Sequence, residues 1–216
     1  MMRFRIEFAG LYLILPAALM AARLSGYVVP VLPLLWVAAC PAAVYLVRCR
    51  GWCVCELVGS RLDLRQLRGM VMRFAVAAVL LSAGMLLIEP RGFMLLPRCD
   101  PRLWALVMIF YPVLSVVPQG ILYRALFHTR YAMLFRSERV RDLAATAAFG
   151  WAHLVFGNVW AVGLTLLGGF FINRTYRKSG SLLASNIEHA VYGQLAFTTG
   201  WGLFLYHGTI RLLEGG

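Results

Sequence analysis

The sequence predicts an all-α, polytopic transmembrane helical bundle. Three observations carry that reading. Of 216 residues, 61% are hydrophobic and 14% charged, against about a quarter charged in soluble domains. Apolar runs recur along the whole length and leave no room for a separate soluble domain. The runs are continuous, whereas a membrane barrel needs alternating ten-residue strands. Backbone facing lipid must satisfy its own hydrogen bonds, which leaves helices. A crossing takes about 20 residues, and the runs divide the chain into about seven spans.

Arg3 and Arg5 precede an apolar run, Phe8 to Ala22, read as the first span. It resembles a signal peptide, but no clear small-residue cleavage site stands before the next run. Tyr27 to Val47 is the second span, interrupted by Pro30, Pro33 and Pro41. The polar loop after it carries Cys49, Cys53 and Cys55, and Leu62 to Leu67 fits a short interfacial helix. Met70 to Ile88 is the third span, with Arg73 near its start, where its stem can snorkel. Glu89 to Arg102 is a loop punctuated by Pro90, Gly92, Pro97 and Pro101. Leu103 to His128 is the fourth and longest span, with any bend expected at Pro112 or Pro118. Arg130 to Asp142 reads as a charged connection. Leu143 to Phe156 and Val159 to Ile172 are two short spans joined at Gly157-Asn158. After a basic stretch, Arg174 to Gly180, Leu182 to Trp201 is the seventh span. Leu203 to Leu213 is a short eighth candidate.

The net charge of +12 is concentrated on one side of this topology. With the N-terminus cytoplasmic, fourteen arginines and lysines fall in inside segments and five in outside segments. That is the positive-inside bias of a membrane protein. Basic loops can also touch anionic lipid head groups. A nucleic-acid partner is not expected, because no soluble basic domain exists to carry one. The cysteine spacing C-x3-C-x-C has no neighbouring histidine, so free or lipidated thiols fit better than a metal.

Polar residues at membrane depth are expensive and mark functional sites by default. The stretch Pro118 to His128, PQGILYRALFH, places Gln119, Arg124 and His128 among hydrocarbon. Gly120, Arg124 and His128 share one helix face. A guanidinium stays charged and needs an anion or carbonyls. Positions 120 and 121 before Arg124 are glycine and isoleucine, so the plain alternative is snorkelling to the surface. His153 has Phe149 one turn before it. His189 has Ser185 and Gly193 on its face and Glu188 beside it. A lone buried histidine is usually hydrogen-bonded core. Two on different helices, with an acid adjacent to one, can hold a water, an oxyanion or a divalent metal such as zinc. His128 and His207 read as structural.

Three segments carry a resemblance: QGILYR at 119–124, FGWAH at 149–153 and HAVYG at 189–193. In order and spacing they resemble the CAAX protease and bacteriocin-processing family of intramembrane endopeptidases, also called the Abi family. The family pattern is a pair of acids, or Gln-Glu, three residues and Arg; then Phe-x-x-x-His; then His followed four residues later by Asn or a small residue. The stretch from Asn158 through TYRKSGSLL is similar to a bacterial branch. The resemblance covers about Pro118 to Gly202. It divides the chain into residues 1–102, without a matching motif, and 103–216, with the core helices of one membrane domain.

The resemblance implies a membrane-embedded peptidase in which glutamate activates water, histidines hold water, an oxyanion or a metal, and arginine orients the glutamate. The implied site is His153, His189, Arg124 and Gln119, supported by Phe149, Gly193 and Asn158. This sequence departs at position 120, where glycine stands in place of the acid, and at 193, where glycine stands in place of Asn. Glu188 is the nearest replacement acid, and Glu188→Gln is then expected to abolish activity. Gly120→Glu is expected to be tolerated and stabilising, because it would give Arg124 a partner. The expected function is cleavage of a membrane-associated peptide or protein in the bacterial cytoplasmic membrane. The rivals are an inactive relative that binds such peptides and a small-solute transporter. The absence of an internal repeat counts against the transporter.

Overall fold

The computed structural model describes residues 1–50, 59 and 63–205, and those residues form helices and no strand. Cys53, Cys55, His207 and the short eighth candidate beyond Leu205 lie outside the described residues, as does Leu62 of the interfacial segment. Among the described residues four helices are long and apolar enough to cross a membrane: Met2–Leu24 (α1), Val31–Cys49, Leu64–Ile88 and Pro101–Arg130. The second of these runs on to give α2, Val31–Arg50. We number Leu64–Ile88 α3, the short Leu95–Cys99 helix α4 and Pro101–Arg130 α5. Next come α6, Glu138–Ala152, α7, Val159–Ser179, α8, Leu182–Thr199, and the single turn α9, Gly202–Leu205. α7 and α8 are 21 and 18 residues long, about one bilayer core at 1.5 Å per residue. Their buried Asn173, Asn186, Glu188 and His189 lower their hydropathy.

Several boundaries differ from those predicted. Pro33 and Pro41 do not interrupt α2. Pro33 lies in the first turn, where the missing N–H has no intrahelical partner to lose. Residues 138–142 are the first turn of α6, because Ser137 caps it by accepting from the Val140 amide. The basic stretch 174–179 is the last turns of α7, which closes only at Gly180, in the left-handed region with φ +61°. Residues 64–67 are continuous with α3, whose Asp63 and Gln66 form a reciprocal cap. In α5 the ladder widens into π-turns at Pro112–Val116 and Ile121–Leu126.

The core is aromatic. Phe8 and Tyr12 of α1 meet Tyr123, Phe127 and Tyr131 edge-on or tilted. Tyr12 donates to the Leu122 carbonyl at 2.7 Å, a group within the second π-turn. At one end, Glu7 accepts from Arg130 and from the Tyr131 hydroxyl. α6 packs along α7, and α7 along α8. An added Cβ at Gly150 would stand 2.5 Å from Leu166 Cδ2, so α6 and α7 approach at van der Waals limits there. α3 packs mainly on α8 and is otherwise exposed.

Candidate active site

α5 and α8 run antiparallel, with the chain turning between them through α6 and α7. Side chains on a helix lean toward its N-terminus. Arg124 therefore reaches back along α5, and its Nη1 lies 3.3 Å from His189 Nδ1. The guanidinium rests over the Phe149 ring, 5.2 Å from the centroid. Arg124 is 1% exposed and does not snorkel. Among the described residues its Nε has no hydrogen-bond partner. Phe149 also stands between the two histidines, with centroids 4.6 Å from His153 and 5.4 Å from His189.

Hydrogen-bond chemistry assigns the protons. A guanidinium only donates, so His189 Nδ1 accepts and Nε2 carries the hydrogen. That Nε2 faces the Tyr111 hydroxyl at 3.4 Å. With its oxygen accepting from His189, Tyr111 is left with an O–H to donate onward. His153 Nδ1 donates to the Phe149 carbonyl at 2.7 Å, which leaves Nε2 with a bare lone pair. Gln119 donates from Nε2 to Ser115 Oγ at 2.7 Å, and its Oε1 has no partner among the described residues.

His153, His189, Tyr111, Gln119 and Phe149 line one cavity of about 1140 Å³. Its other walls are mostly apolar, from the 28–33 segment and α3, α5 and α7. Arg23 of α1 donates to the Val155 carbonyl and ties down the turn that follows His153.

Both glycine departures are occupied by a neighbour's side chain. A Cβ at Gly120 would lie 2.1 Å from Asn186 Oδ1 and 2.8 Å from its Cγ. A Cβ at Gly193 would lie 2.2 Å from the Tyr111 hydroxyl oxygen. The structure thus sets the Asn186 side chain against the gain expected of Gly120→Glu. Alone, it should lower the thermal midpoint in detergent by the about 1–3 kcal/mol of an overpacked core. Gly120→Glu with Asn186→Ala should recover that loss.

The family model described as type II CAAX prenyl endopeptidase Rce1-like matches residues 101–195. Those residues, fewer than half of the chain, are similar to the Rce1-like family. The match holds all three motif segments and supports an intramembrane-protease kind of function in a membrane protein. No curated protein and no solved structure matches the chain.

The acid next to His189 in the Rce1-like region points elsewhere. Glu188 is 1% exposed, and its Oε1 accepts from Arg73 Nε and Nη2 at 3.0 and 2.7 Å and from Tyr192 at 2.9 Å. Arg73 also donates to Thr175 at 3.1 Å, so it joins α3 to α7 and α8 instead of snorkelling. Glu188 Oε2 is buried without a partner among the described residues. Asn158 caps α7 through the Ala161 amide and donates to the Phe204 carbonyl at 2.7 Å, apart from the polar centre. His128 accepts from Arg141 Nε at 3.1 Å, in a cluster with Asp142.

The donor set does not fit a zinc ion. Protein zinc sites use three or four side-chain ligands. Among the described residues no three of His, Cys, Asp and Glu come together in that way. His189 has both ring nitrogens engaged, by Arg124 and Tyr111, so of the two histidines only His153 offers a bare lone pair, at Nε2.

Tyr111, Asn186 and Arg73 were missed as site residues in the sequence. The available signals were glycines at motif positions, which permit close approach of another element, and polar side chains inside apolar runs.

Proposed function

We propose that this chain is an intramembrane endopeptidase of the CAAX-protease type, held in a bacterial cytoplasmic membrane, in which His153 takes the place of a carboxylate base. The observation that carries this is the His153 lone pair at Nε2, fixed by the Phe149 carbonyl, on the cavity that Tyr111 also lines. A neutral imidazole accepts a proton from water near neutral pH. Water oxygen then bonds to the peptide carbonyl carbon as its proton passes to Nε2. The carbon–nitrogen bond breaks as that proton goes to the leaving amine. The apolar walls accept a membrane-associated peptide, and the cavity exceeds the about 300–1,000 Å³ of small-ligand pockets.

A survey of new protein N-termini in membranes tests this, comparing cells with the native chain and with His153→Ala at matched expression. Termini should vanish in the variant. Identical sets would sink the peptidase reading. Asn186 against Gly120 favours a second reading, an inactive relative that binds such peptides. Under it, both sets are the same, and a photoreactive peptide still labels the cavity.

A further inference from the structure

We propose that Tyr111 is a catalytic residue: its hydroxyl, carried by α5 across Gly193 of α8, donates the hydrogen bond that stabilises the substrate carbonyl as it becomes an oxyanion. This rests on the peptidase reading above.

Four observations lead here. Gly193 stands four residues after His189, where a side chain would share the face of that histidine. The space such a side chain needs is filled by Tyr111, whose Oη, Cε1 and Cζ lie 2.2, 2.3 and 2.4 Å from the added Cβ. The ring is held edge-on against Phe197 at 5.5 Å and His189 at 6.2 Å, so the hydroxyl has a fixed position. The donor sequence from Arg124 through His189 ends on the Tyr111 oxygen and frees its proton for the cavity.

Asn186 and Gly120 make the reciprocal arrangement. There α8 supplies the polar side chain and α5 supplies the glycine. Each helix gives up one side chain and receives one from the helix it faces. A tyrosine that only filled space would have no need to set its hydroxyl beside a histidine whose other nitrogen is committed to a buried arginine. A phenol polarised by that chain is a stronger donor than an isolated one. Developing negative charge in a dry cavity is where such a donor acts most.

The substrate for the test is the peptide whose terminus disappears with His153→Ala, assayed with the full chain in detergent. Tyr111→Phe keeps the ring. It should lower kcat about 100-fold, the scale of losing one oxyanion donor, with KM within about twofold and an unchanged thermal midpoint. Unchanged kcat would overturn the proposal. Gly193→Asn and Tyr111→Ala should each lose activity. Tyr111→Ala with Gly193→Asn should exceed Tyr111→Ala by at least about tenfold, and a double variant no better than the single would refute the exchange. If the native chain shows no turnover, the peptidase reading itself has failed. The hydroxyl is then read by photolabelling with an acetylated apolar pentapeptide amide bearing a benzophenone. A tenfold loss of labelling in Tyr111→Phe supports the contact to a peptide carbonyl, and equal labelling excludes it.

Discussion

Arg124→Met should raise the thermal midpoint in detergent while ending peptide cleavage. Arg124 is among the largest fully buried side chains, and no carboxylate hydrogen-bonds it among the described residues. Its partners are one neutral imidazole nitrogen and an aromatic face. A buried charge without a counter-ion is costly, and replacing buried ions by well-packed apolar groups is often stabilising by about 1–4 kcal/mol. Methionine fills the same volume with an unbranched, adaptable chain. The loss at His189 Nδ1, an acceptor left without its donor, offsets about 1–3 kcal/mol. The net gain is then small, on the order of 0.5 kcal/mol from the middles of the two ranges. Differential scanning in detergent reads it. A clearly lower midpoint would mean that Arg124 has a compensating anion and that its charge is structural.

Arg73→Ala should have the opposite sign. Glu188 is 1% exposed, and among the described residues its only cation at hydrogen-bond distance is Arg73. Removing one member of a buried pair leaves the other uncompensated, at about 3–5 kcal/mol. Arg73 also ties α3 to Thr175, so α3 loses its main polar attachment. Arg73→Met with Glu188→Gln should recover most of the loss, since neither charge then remains. The double variant also decides the role of Glu188. If Glu188 is structural, as its partners indicate, the double variant keeps turnover within a few-fold. If Glu188 is the base, the double variant is folded and dead. Melting midpoints and turnover of the three proteins complete the cycle.

The fold class was legible because lipid imposes one solution on long apolar runs. The motif positions were legible because Arg124, His153 and His189 are local exceptions to hydropathy. What the sequence withheld was who faces whom across helices. Glu188 sits next to His189 in sequence, yet consecutive helical residues differ by about 100°, and Arg73 lies 115 positions away. The glycines at 120 and 193 read as losses, although each makes room for a side chain from the opposite helix. The short spans were misjudged because Arg174 to Lys178 look like a loop in composition, and the true stop is the positive φ of Gly180.

The length of α5 ties the polar centre to its surroundings. Thirty residues in one helix extend about 45 Å, against about 30 Å of hydrocarbon. A helix with that surplus must lean, overhang or deform the lipid around it. Tyr111 and Arg124 lie on this same helix, separated by about 20 Å along its axis. Their side chains close on the one His189 ring from either side, so leaning shifts the depth of the whole centre together. Acyl-chain length thus becomes a variable of the chemistry, because it sets how far water must travel to reach His153.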